Sequence, residues 1–257
     1  MTEDDSAPAL PVPALASPAL PAWCEHDSGC HDVGVPAAAT APAGALAWLL
    51  IEFDGPWAAE ATATALPEPL AKLAIGADEL GMRVQLIRRP LRPVGTADEH
   101  DQPAVFAGWT QEPSPWLRRL GADDLNAAAL TELAAGEPTR GTAEPGPLFL
   151  VCTHGRRDRC CARFGVPLAR DLAASHPAQV WETTHVGGHR FAANLVILPA
   201  GLYYGPVDAR AARGAIDAYQ RGEITAGGYR GRAGQQPEAQ RSECAALARL
   251  GTLRLDR

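Results

Sequence analysis

The stretch Pro147-Leu-Phe-Leu-Val-Cys-Thr-His-Gly-Arg-Arg-Asp-Arg-Cys-Cys161, answered downstream by His185-Val-Gly-Gly-His189, decides how this chain is read. Leu148 to Val151 is a continuous apolar run with the length of a buried strand. The polar loop behind it feeds a helical stretch from Cys160 to about Ser175, broken at Gly165-Val-Pro167, with Phe164, Leu168 and Leu172 on one face. A loop that leaves a strand and enters a helix presents unsatisfied backbone N–H groups, so it favours anionic ligands such as thiolates. Cys152 stands on one rim of this loop and Cys160 or Cys161 on the other. His185 and His189 flank Gly187-Gly188, a turn where backbone can approach a bound group closely and donate N–H bonds to it, and Arg190 follows. Two Cys and two His in pairs thus predict a metal site between two segments of one fold. Arg156, Arg157, Arg159, Arg163 and Arg190 surround the ligands in sequence and are expected to lower the thiol pKa values, since the thiolate is the form that binds metal.

Outward from that stretch, Gln179 to Thr183 and Arg190 to Leu198 read as strands, Pro199-Ala-Gly201 as a turn, and Leu202 to Gly205 as the returning partner. Asp208 caps a helix with Ala211, Ile216 and Tyr219 on its inner side. The order β-α-β, then β-β-α, is that of a thioredoxin-like domain over residues 147–257. Residues 45–136 open the same way and read as a related, diverged α/β domain: an apolar strand from Ala45 to Phe53, a helix around 67–80, and an alternating strand from Met82 to Arg88. Ala104 to Trp109 adds a strand, and Leu117 to Ala135 contains helical material, with Asp123 or Asp124 as the cap of a helix carrying Leu125, Leu130 and Leu133. Gly136 to Pro147 is the linker, Gly227 to Gly234 a loop, and Pro237 starts a last helix.

Residues 1–44 are Ala-Pro-rich and expected to be flexible. Cys24, His26, Cys30 and His31 lie there; the arrangement could hold zinc, but the spacing matches no common zinc pattern and reads better as a loop entering the folded part. With 257 residues, net charge −7 and 6% aromatics, the chain is large enough for one or two cores and too acidic for a nucleic-acid module. No apolar run is long enough to span a bilayer, and Met-Thr-Glu-Asp-Asp has the wrong sign for a signal peptide, so no membrane association and a cytosolic place are expected. In a reducing compartment six Cys point to metal or redox chemistry rather than to disulfides.

Val151-Cys-Thr-His-Gly-Arg-Arg-Asp-Arg-Cys-Cys-Ala162, Thr184-His-Val-Gly-Gly-His-Arg-Phe-Ala192 and Leu198-Pro-Ala-Gly-Leu-Tyr-Tyr-Gly205 resemble the signature blocks of the sucrase/ferredoxin-like family, related to thioredoxin-like [2Fe-2S] ferredoxins. Trp48 to Glu52, Gly55-Pro-Trp57 and Tyr229-Arg-Gly-Arg232 resemble its flanking blocks. The resemblance implies a [2Fe-2S] cluster on Cys152, Cys161, His185 and His189, with Cys160 as the alternate ligand and Gly187, Gly188 and Arg190 around it. It implies an electron carrier whose reduction couples to proton uptake and whose partner is a reductase or acceptor protein. Two other readings stand beside it: a structural zinc site on the same four residues, and a thioredoxin-like thiol oxidoreductase on Cys160-Cys161 or the Cys152/Cys160 pair, although no Cys-x-x-Cys is present. The family's name would imply sugar hydrolysis, which needs two opposed carboxylates; no such pair stands out and none is expected to act.

Overall fold

Ala47–Glu52 forms the first strand, β1, and its alternation sets the layers of the molecule. Trp48 and Leu50 face one core, while Ala47, Leu49 and Ile51 face another, because side chains along a strand alternate sides. The computed structural model describes residues 36–90 and 102–255; Cys24, His26, Cys30 and His31 lie outside the described residues. After β1 come helix α1 (Leu70–Glu79), strands β2 (Arg83–Arg88), β3 (Val105–Trp109) and β4 (Trp116–Leu120), helix α2 (Ala127–Ala134) and the short strand β5 (Thr142–Ala143). Then follow β6 (Leu148–Cys152), α3 (Arg159–Ser175), β7 (Val180–Thr183), β8 (Leu195–Leu198), β9 (Leu202–Tyr204) and α4 (Ala209–Gln220). The described chain closes with β10 (Glu223–Thr225), β11 (Tyr229–Arg232), α5 (Pro237–Leu250) and β12 (Thr252–Arg254).

Ten of these strands make one mixed sheet in the order β11-β9-β8-β6-β7-β2-β1-β3-β4-β5. In each half the first strand lies between a parallel partner and an antiparallel one: β1 between β2 and β3, β6 between β7 and β8. That is the thioredoxin-like strand order, present twice. The halves meet where β2 and β7 pair antiparallel through Ile87 with Thr183 and Arg88 with Glu182.

The sheet is rolled. Trp48 on β1 and Tyr203 on β9 stand five strands apart, about 24 Å across a flat sheet at ~4.8 Å per strand. Their ring centroids are nevertheless 6.4 Å apart. The roll encloses a core shared by both halves, which includes Trp48, Phe106, Leu150, Trp181, Val196 and Tyr203. Helices α1 and α2 cover the outer face of the first half, and α3 and α4 that of the second. Burying a large side chain contributes about 1.5–3 kcal/mol, so this shared core couples the stability of the two halves.

Several expectations change. The stretch from Leu117 carries a strand before its helix: residues 117–120 extend within β4, where Arg118 and Arg119 alternate across a strand pairing β3 on one side and β5 on the other. The helix after it is capped by Asn126, whose side chain accepts from the Ala129 N–H at 3.1 Å; Asp123 and Asp124 sit in the preceding 3-10 turn. Helix α3 runs unbroken through Pro167. Gly165 lets it lie directly on β6, where a Cβ would come within 2.0 Å of the Cys152 carbonyl oxygen. The strand expected from Arg190 begins only at Leu195, since residues 189–191 make a 3-10 turn. The Gly-rich segment after Gly227 contains β11, an edge strand paired to β9. Residues 36–44, expected to be flexible, are held to the last elements: the Thr40 N–H donates to the Arg230 carbonyl at 2.9 Å, and the Gln240 side chain bonds both backbone groups of Ala41.

Candidate metal centre

Cys152 ends β6, Cys161 lies in the first turn of α3, and His185 follows β7, so three neighbouring elements converge at one end of the second half. Asp158 starts α3 by accepting the Cys160 N–H at 2.9 Å, the cap that points the first turn at the strand end. One donor atom from each of Cys152, Cys161 and His185 lies within 4.8 Å of the others, the one such group of three among the described residues. Cys161 Sγ is 3.6 Å from His185 Nδ1. Both thiols are fully buried, whereas the His185 ring borders a cleft of about 420 Å³ between the halves.

The two thiols polarise one another. Cys161, with help from His185, holds the Cys152 thiol well below its usual range, while proximity to Cys152 and burial push the Cys161 thiol up. One of the pair is thus poised as a thiolate beside the imidazole. The loop arginines play no part in this: Arg156, Arg157, Arg159 and Arg163 are exposed, and Arg157 pairs with Glu60. Cys160 is buried but its sulfur is not in the group of three.

His189 stands beside that group. Its ring centroid is 6.1 Å from that of His185, tilted by 33°, and its Nδ1 is 3.8 Å from an Asp158 carboxylate oxygen. Burial lowers the His189 pKa despite that carboxylate, favouring the neutral ring that metals bind. Gly187 and Gly188 both have positive φ, 93° and 73°. A Cβ on Gly188 would reach 2.5 Å from a nitrogen of the Arg230 guanidinium, so the turn requires glycine both for its backbone conformation and for this close approach. Arg190 stacks over Phe191 at 4.8 Å.

Residues without an assigned role in the sequence hold the ligands. His154 is buried; its Nε2–H donates to the Ala58 carbonyl at 2.7 Å and its Nδ1 accepts the His185 N–H at 3.1 Å. Burial lowers its pKa, which preserves the neutral tautomer those two bonds demand. From β2, Arg83 and Gln85 each donate to the His185 carbonyl at 3.4 Å. Asn194 donates to the Gly188 carbonyl at 2.9 Å, and its own carbonyl accepts the Cys152 N–H at 3.1 Å. The signals for some of these were present: Asp158 precedes a helix start, and Arg83 and Gln85 alternate with Val84 and Leu86 on a strand whose apolar face is evident.

Two thiols and an imidazole converge from buried backbone, a second imidazole stands near, and a side-chain-free turn lies between the two histidines; this donor set suits a thiophilic metal or an iron–sulfur group. The family model described as sucrase/ferredoxin-like matches residues 45–231. Over 96 residues the chain is 34% identical to a protein named Altered inheritance of mitochondria protein 32 from Meyerozyma guilliermondii, covering 33% of this chain and 34% of that one. The chain thus spans about a third of the length of that curated relative. No solved structure matches. Among the described residues no helix is long and apolar enough to cross a membrane.

Proposed function

The chain belongs to the sucrase/ferredoxin-like family, and from that premise we propose that it is an electron-transfer protein holding a [2Fe-2S] cluster on Cys152, Cys161, His185 and His189. The observation that carries this reading is the convergence of Cys152, Cys161 and His185 within 4.8 Å, with His189 alongside. When bound, such a cluster supplies one-electron transfer, and two neutral imidazoles in place of two thiolates remove negative charge and raise its reduction potential. The protein's own contribution is positional. Cys152 and Cys161 supply thiolates from a site closed to water, and the His154 ring with Arg83 and Gln85 fixes the backbone that carries His185. Asp158 beside His189 Nδ1 would stabilise a proton held on that ring, so that electron uptake by the bound cluster would be accompanied by proton uptake from solvent at the imidazoles. The cleft bordered by His185 would open the site toward a reductase or acceptor protein.

Replacing His185 or His189 by Cys restores a thiolate. The expected result is a lower reduction potential with a weaker pH dependence; unchanged potentials in both variants overturn the ligand assignment. A zinc ion on the same residues is the second reading, favoured by how tightly the three donors cluster. A colourless protein with stoichiometric zinc decides for it, and a brown one that bleaches with dithionite decides against it.

A further inference from the structure

We propose that Arg230 is the charge partner of this centre, a buried guanidinium beneath the Gly187-Gly188 turn that stabilises the negative charge gained on reduction. The inference rests on the redox reading above. Arg230 lies on β11 with its side chain fully buried. It donates to Thr40 Oγ1 at 3.0 Å, to the Thr40 carbonyl at 2.9 Å, to the Gly187 carbonyl at 3.2 Å and to Asn194 Oδ1 at 2.6 Å. All four acceptors are neutral. Its guanidinium also lies 4.8 Å from the centre of the Phe191 ring and 5.5 Å from that of Tyr203.

The contrast with Arg232, two residues along the same strand, is direct. Arg232 bonds the carboxylates of Glu112 at 2.6 Å and Glu243 at 2.8 Å. The charged or ionisable groups that act most on Arg230 are instead Tyr203, Arg190, Arg83 and Cys152, two of them further cations. Burial lowers its pKa to about 10, which still leaves it protonated at neutral pH. A buried charge with no opposite partner costs several kcal/mol, so a protein that keeps one has an anion to set against it. Among the groups acting on Arg230, Cys152 is the one that carries negative charge once it binds metal. An external one-electron donor protein then adds one electron to the site, and Arg230 keeps its proton throughout, so a proton taken up with the electron enters at the imidazoles and not at the guanidinium.

Anaerobic redox titration of the iron-loaded full chain tests this, with iron and sulfide measured per chain for every variant. Arg230→Gln is expected to lower the midpoint, so that at the wild-type midpoint the oxidised form exceeds the reduced form at least tenfold, about 59 mV for one electron. Arg230→Lys keeps the charge but loses the fork of hydrogen bonds, and its midpoint is expected to stay close to wild type. Asn194→Asp sets a carboxylate against the guanidinium with little change of shape and lowers the midpoint in the same direction, which keeps the test open if Arg230→Gln fails to load iron. Equal shifts in the Gln and Lys variants, or an unmoved midpoint in Asn194→Asp, overturn the inference. A wild-type chain with no redox-active iron overturns the parent reading and this one with it, whereas a wild-type cluster with unmoved variants overturns this one alone.

Discussion

In both halves of the molecule a central strand lies between one parallel and one antiparallel neighbour and delivers the chain to a loop and then a helix. At the end of β6 that loop carries Cys152 and leads to Cys161; at the end of β1 it reads Phe53-Asp-Gly-Pro-Trp57. Trp57 packs edge-on against His154 with ring centroids 5.8 Å apart, the Ala58 carbonyl accepts from the same ring, and β2 sends Arg83 and Gln85 to the His185 carbonyl. One half thus presents the thiols and imidazoles and the other braces them. The lesson is that the architecture fixes where strand ends converge, while a few side chains on those ends decide whether the place holds a metal.

That division of labour can be broken in graded ways. The largest effect is expected from Cys152→Ala or Cys161→Ala, which remove a ligand outright: metal content measured by elemental analysis should fall to background, with the fold retained by circular dichroism. Next comes Trp48→Ala, in the bracing half but in the shared core. It should cost about 3–5 kcal/mol and lower a single thermal transition for the whole chain; two separate transitions would show that the halves do not depend on a common core. Gly188→Ala meets both a positive φ and the Arg230 guanidinium, and should cost about 1–3 kcal/mol in denaturant unfolding while disturbing the visible spectrum of the loaded protein. The smallest effect belongs to the exposed loop: Arg156→Gln should change stability by no more than about 0.5 kcal/mol and leave the spectrum as it was.

The strands β1 and β6 were legible as continuous apolar runs because both their faces are buried, β2 from its alternation, and the helix α3 from its single apolar face. The convergence of Cys152, Cys161 and His185 was legible for a different reason, the rarity of paired Cys and His. What stayed hidden depends on distant partners. The strand at Trp116–Leu120 alternates polar and apolar residues only weakly, and its pairing with β3 and β5 supplies the stability its composition does not advertise. Arg230 sat in a Gly-rich run that reads as a loop; its role depends on the rolled sheet bringing β11 against the His185-to-His189 turn. The same roll sets Arg230 against the turn between His185 and His189, while Arg156, Arg157, Arg159 and Arg163 stay exposed.

The most direct test of the central claim is to purify the full chain anaerobically and measure iron, acid-labile sulfide and zinc per chain, with EPR before and after dithionite. Iron and sulfide in equal amounts, with a signal that appears only on reduction and is lost in Cys152→Ala, is the predicted result. Stoichiometric zinc without sulfide, or iron retained unchanged in Cys152→Ala, would contradict it.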